Sequence, residues 1–199
     1  MDEVAGMRAG DMGPADMGSG DVVSWGWLRH PATLALGLVA LALLAAACGG
    51  GSSFDDPRLQ EFNDEFTTAG QAHLPPGQAA SYPSTPPYGG PHWSQPLRCG
   101  IYEAEQRFEP MVHTMEHGAV VLYYQPLNVQ DDTVAEMRVL ASALLSDGAR
   151  VIMTPSTRLG VSIAVTSWGR LLTMDQFEED AIRGFVDAFE GDGPEDVGC

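Results

Sequence analysis

Apolar positions along this chain follow two rhythms. Ala119-Val120-Val121-Leu122-Tyr123-Tyr124 is an unbroken apolar run closed by Gln125-Pro126. Its β-branched and aromatic content predicts a buried strand. Arg150 to Thr154, Val161 to Thr166 and Arg170 to Met174 predict three more strands, the last two joined by a hairpin turn at Ser167-Trp168-Gly169. Cys99 to Tyr102 predicts a further short one. Between the first two long strands the period changes. Val134, Met137, Leu140, Ala141, Leu144 and Leu145 recur at helical spacing, so residues 132–146 predict an amphipathic helix. Thr133 and Glu136 suit its capping box, and Gly148 closes it. Phe177, Ile182, Phe185, Val186 and Phe189 form a second such face, in a final helix starting at Asp175 with Glu178 placed for the cap. Glu109 to His117 predicts a short helix or turn closed by Gly118. Asp55-Asp56-Pro57 predicts one more helix start, with Leu59, Phe62 and Phe66 on one face and Gly70 at its end.

The order strand, helix, strand, strand, strand, helix predicts an α/β (α+β) fold: a single mixed sheet of about four strands covered by helices. A βαβ unit requires parallel strands, and the hairpin that follows it adds an antiparallel pair before the C-terminal helix. Residues 71–98 stand apart. Pro75, Pro76, Pro83, Pro86, Pro87, Pro91 and Pro96 exclude a helix or a central strand there. The segment is too long for an idle connection, and Tyr82, Tyr88 and Trp93 are available to pin it to the domain.

The N-terminal quarter has no such periodicity. Residues 1–31 form an acidic, irregular leader, within which Met12 and Met17 are alternative starts. Residues 32–48 are a signal or membrane-anchor segment: an apolar run sixteen residues long from Ala32 to Ala47, interrupted by Thr33, then Cys48. That run is short for a spanning helix of ~20 residues, but its basic flank, apolar centre and small-residue end match a secretory signal. Cys48 directly after Ala45-Ala46-Ala47 resembles a bacterial lipoprotein signal, with Cys48 the residue that carries lipid. An uncleaved anchor and plain secretion are the alternatives. Each places the rest of the chain outside the cytoplasm, and the first two put it on the extracytoplasmic face of the cell membrane. Residues 49–53 read as a Gly/Ser tether and residues 54–199 as one extracytoplasmic domain.

Cysteine count and charge narrow this further. With Cys48 lipidated, Cys99 and Cys199 are left as an even pair, and an oxidising compartment favours a disulfide between them. Two unpaired thiols are the other possibility. The net charge is -17, there is no lysine, and all ten basic residues are arginine. Residues 1–47 hold five acids and two arginines, which leaves -14 on the remainder. So acidic a domain repels phosphate backbones, and nucleic-acid binding is excluded as a function.

Chemistry gathers just before the first long strand. His113-Thr114-Met115-Glu116-His117 places two imidazoles four residues apart, on one face if the segment is helical. Glu116 lies near that face. His92, in the stiff Gly89-Gly90-Pro91-His92-Trp93 stretch, is the expected third histidine, and such a set suits divalent zinc or copper. Met111 and Met115, also four apart, are an alternative pair that favours Cu(I). His73 stands in the loop opening and is assigned no role. The same His-x-x-Glu-His pattern occurs in inverted zinc peptidases, but those are much larger, and the acids here that could stand for their distant third ligand, Glu178 and Glu179, read as first-turn capping residues. The bland alternative is a structural cluster, with each histidine tied to a backbone carbonyl or to Glu116.

Gly90-Pro91-His92, Cys99-Gly100-Ile101-Tyr102, Val112-His113-Thr114-Met115-Glu116-His117-Gly118, Ser167-Trp168-Gly169-Arg170 and Gly193-Pro194-Glu195 together resemble the Domain of Unknown Function 3105 family. The resemblance spans about residues 80–199. It implies a bacterial protein with an N-terminal membrane segment and an extracytoplasmic domain, and a terminal cysteine as in some members. It brings no reaction. Three functions fit: a metal- or small-ligand-binding module built on His92, His113, Glu116 and His117, a metal-dependent hydrolase in which Glu116 polarises a metal-bound water, and a structural or interaction domain of the cell envelope.

Overall fold

The computed structural model describes residues 54–68, 71–195 and 197–199. The expected leader, the apolar segment with Cys48, the tether and Gly70 lie outside them. The strands are β1 (Gln60–Glu61), β2 (His73–Leu74), β3 (His92–Trp93), β4 (Gly100–Ile101), β5 (Val120–Tyr124), β6 (Val151–Pro155), β7 (Ile163–Ser167) and β8 (Arg170–Met174). The helices are α1 (Phe108–Glu116), α2 (Asp131–Ser146) and α3 (Glu179–Phe189).

The fold is mixed α+β, as expected. β5 and β6 pair in parallel, flanking the α2 crossover, while β7 is antiparallel to both β5 and β8. Ser167 pairs with Arg170, so the hairpin loop is Trp168-Gly169, with Gly169 at φ 75°. The sheet is larger than the four strands expected. It has six, in the order β1-β8-β7-β5-β6-β4, because two-residue strands close both edges. β4 falls within the short strand expected at Cys99 to Tyr102, whereas the two residues of β1 carry no readable alternation. β2 and β3 form a separate parallel pair.

Alternation along the central strands divides the core in two. Val120, Leu122, Tyr124, Val151, Met153, Ile163 and Val165 face α2 and α3. Val121, Tyr123, Ile152 and Ala164 face α1 and the proline-rich segment, with Phe108, Met111, Val112, Met115 and Trp168 in the same cluster. A strand buried on both faces must be apolar at every position, which is why β5 reads as a continuous run.

Some local signals were overridden. The helix expected after Asp55 is absent from the described residues. A turn at Pro57-Arg58 leads into β1 instead. Asp56 Oδ1 accepts from the Arg58 main-chain N–H at 2.9 Å and its Oδ2 from the Arg58 guanidinium at 2.7 Å, so the acid that would start a helix closes a turn. α3 starts at Glu179 rather than Asp175, and neither α2 nor α3 has a side-chain cap. Glu178 is held by the Arg58 guanidinium at 2.6 and 2.9 Å and is not free to complete a box. Among the described residues no helix is long and apolar enough to cross a membrane. Cys99 and Cys199 are joined, with Cα atoms 5.5 Å apart at a sequence separation of 100.

Candidate metal centre

α1 is buried at all nine positions, wedged between the sheet and the proline-rich segment. Its last turn carries His113 and Glu116, three residues apart and so on adjoining parts of one face. The helix ends at His117, the C-cap, and Gly118 turns the chain into β5 at φ 86°. The carbonyl end of a helix carries partial negative charge, which favours a cation there.

The other wall is the small parallel sheet. Register pairs His73 with His92 and Leu74 with Trp93, through His92 N–H to Ala72 O at 3.2 Å and Ser94 N–H to Leu74 O at 3.3 Å. The sheet docks on α1 through one specific bond: His113 Nδ1 donates to Trp93 O at 2.6 Å. His92 Nδ1 donates likewise to Gly90 O at 2.9 Å. A neutral imidazole has one N–H, so each of these bonds leaves its Nε2 as a bare lone pair. This is the orientation that metal-binding histidines take from their backbone partners.

These elements bring together His73, His92, His113 and Glu116, one ligand atom from each, all within 4.8 Å of one another. His92 is fully buried and Glu116 nearly so, while the His73 side chain is about half exposed and forms the outer edge. Glu116 Oε2 lies 3.0 Å from His92 Nε2 and 3.8 Å from His73 Nε2. Yet neither Glu116 Oε2 nor His92 Nε2 makes a hydrogen bond. Two acceptors face each other with no donor between them, a costly arrangement in a buried site unless a cation joins them.

Burial pushes His92 down to about 4, helped by the His113 and His73 rings and opposed by the Gly90 hydrogen bond and the Glu195 charge. His92 is therefore a neutral donor of its lone pair at pH 7. Burial also lowers His113, against the pull of the Trp93 bond. Burial and the nearby Glu195 charge raise Glu116, with His73 opposing them. Each shift disfavours bare charge in the cluster. A proton can satisfy only the Glu116–His92 pair. An ion with bonds of ~2 Å would engage all four groups once the widest pair, up to 4.8 Å apart, draws in to the ~4 Å that two such bonds span.

Of the residues expected from sequence, His92, His113 and Glu116 meet. His117 does not join the four. Helical spacing sets its ring edge-on to His113, centroids 4.6 Å apart, so it stands beside that ring rather than among the four. His73 takes the remaining place. It comes from the opening of the proline-rich segment, where a single histidine without periodic neighbours gives no signal. Parallel pairing with His92 is what carries it in. Met111 and Met115, the Cu(I) alternative, are fully buried core residues, and Met115 Sδ accepts from Thr166 Oγ1 at 3.1 Å. Glu116 sits among the converging atoms of His73, His92 and His113. The nearby cleft of about 390 Å³, lined by Phe62, Trp168, Arg170, Asp192 and Pro194 among others, contains none of the four.

The protein-family model that matches is described as "Protein of unknown function (DUF3105)" and covers residues 73–199, from His73 to Cys199. No curated protein and no solved structure matches the chain.

Proposed function

The chain belongs to the DUF3105 family, and from that footing we propose that its domain binds one divalent transition-metal ion through His73, His92, His113 and Glu116, outside the cytoplasm and attached to a membrane. One observation carries the metal reading: four ligand atoms converge within 4.8 Å while buried lone pairs point at each other with no donor between them. Three imidazoles and a carboxylate form an N₃O set. That set suits zinc first, and copper(II) or another first-row divalent ion by geometry and availability. The main-chain carbonyls of Gly90 and Trp93 fix the His92 and His113 rings before an ion arrives, which lowers the entropy lost on binding.

Attachment rests on the sequence of residues 32–48. The sixteen-residue apolar run, its small-residue end and Cys48 support a lipid anchor. The Cys99–Cys199 pairing fits an oxidising compartment.

Elemental analysis of purified protein after reconstitution with zinc or copper(II), beside His113→Ala, tests the binding. One tightly held ion per chain is expected, absent from the variant. Wild-type protein that stays free of both metals removes the proposal. Fatty-acid labelling that survives Cys48→Ala would remove the lipid anchor.

A further inference from the structure

His117 is the histidine the ligand set leaves aside, and its surroundings give it a different task. Its Nε2 lies 3.0 Å from His113 Nε2 and 3.4 Å from Glu195 Oε2. The ring is buried, and its Nδ1 has no partner. Since His113 has committed its proton to Trp93 O, its Nε2 can only accept. The proton in the 3.0 Å contact therefore sits on His117 Nε2. This leaves His117 Nδ1 a bare acceptor, in keeping with its lack of a partner. One N–H thus stands between two acceptors, the nearer of which is a metal ligand.

Building on the metal-binding reading, we propose that His117 reports metal occupancy to the C-terminal segment rather than coordinating the ion. An ion on His113 takes the lone pair that His117 uses. The His117 N–H is then left with the Glu195 carboxylate, and the 3.4 Å approach closes to a charge-assisted hydrogen bond. No bond is made or broken beyond this exchange of acceptors.

Glu195 lies on a strap that crosses the end of α1. Gly191 N–H donates to Gly118 O at 2.8 Å, and Glu195 N–H donates to Glu116 O at 3.0 Å. Gly193 packs so closely that a Cβ there would overlap the main chain of Glu116 and Gly118. Asp192 pairs with Arg170 at 2.7 Å. Arg150 Nη1 donates both to His117 O at 2.9 Å and to Val197 O at 3.2 Å. Cys199 then closes on Cys99. The strap is thus fastened along its main chain and at both ends, while the Glu195 side chain is half exposed and, among the described residues, meets His117 at 3.4 Å. Metal binding supplies the missing attachment, and the ion is felt on the outer surface of the domain as a stiffer strap.

Zinc titration by calorimetry, with amide hydrogen exchange of residues 190–195 in the same samples, tests this. In wild type, zinc is expected to slow exchange at the Glu195 amide by about tenfold. His117→Ala is expected to bind zinc within about threefold of wild type and to lose that protection. Glu195→Ala, a change at a half-exposed position that leaves the fold intact, is expected to do the same. Glu195→Gln, whose amide oxygen still accepts, is expected to recover part of it. A His117→Ala protein that loses zinc as completely as His113→Ala makes His117 a ligand and overturns the inference. So does zinc protection of the strap that persists in both alanine variants, or a strap in wild type that ignores bound zinc. Wild type that takes up no zinc overturns the metal reading and this inference together.

Discussion

Replacing Glu116 by glutamine separates a metal ligand from a structural carboxylate, because the two readings predict opposite signs. The side chain is 2% exposed and its Oε2 has no donor, with His92 Nε2 at 3.0 Å. In chelator, glutamine keeps the shape and turns its amide N–H toward the His92 lone pair, converting two opposed acceptors into a hydrogen bond. An unsatisfied buried polar group costs about 1–3 kcal/mol, more if charged. Glu116→Gln is therefore expected to stabilise the metal-free domain by about 1–3 kcal/mol, a rise of roughly 2–10 °C in Tm for a domain of this size. With zinc the variant loses about 2.3 kcal/mol of ground to wild type, which reverses the order wherever its metal-free gain is smaller than that. An ion held at about 100 times its Kd adds about 2.7 kcal/mol to wild type. A hundredfold weaker site under the same conditions keeps only about 0.4 kcal/mol.

Thermal melts in EDTA and in buffered zinc read both numbers, and pH gives a further check. Burial and Glu195 hold the folded Glu116 carboxyl above its unfolded value of about 4.3. The folded chain therefore binds this proton more readily than the unfolded one, and the handicap of wild type is greatest above the folded pKa. The handicap should shrink as pH falls through that value and vanish below the unfolded one. A variant that melts lower than wild type in EDTA yet shows the full zinc shift would refute the reasoning, since Glu116 would then be a satisfied structural group outside the metal site.

Three further outcomes follow from the rest of the domain. Glu105 is raised by burial, but the hydroxyl and amide of Thr157, Arg158 and Ser156 bring it down to about 2. Glu105→Gln should cost about 1–2 kcal/mol at pH 6 by urea unfolding, and the difference from wild type should fade as pH drops from the unfolded value near 4.3 toward 2. Cys199→Ser opens a loop spanning 100 residues, so it should lower stability by about 2–4 kcal/mol, up to ~4.7 in the chain-entropy model, in non-reducing denaturant titrations. Leu140→Ala, at 1% exposure between α2 and the sheet, should cost about 2–5 kcal/mol and leave zinc affinity unchanged, because it lies on the face away from α1.

The amino-acid sequence by itself determined whatever depends on neighbours a few residues away. The β5 run, the α2 and α3 faces and the Trp168-Gly169 hairpin are periodic patterns, and backbone geometry turns such periods directly into elements. The pairing of His113 with Glu116 is of the same kind, since helical spacing alone puts them on one face. Tertiary structure decided the rest. β1 exists only because β8 offers it an edge, and Glu178 makes no helix cap because Arg58, 120 residues away in sequence, holds its carboxylate. His73 enters the cluster through a register with His92 that no local period encodes. His117 is held out of it, although its spacing matches that of a ligand. A helix face fixes which side chains share a direction. Which of them meets a common point depends on the segment packed against that face, here a proline-rich loop whose course is set by distant contacts.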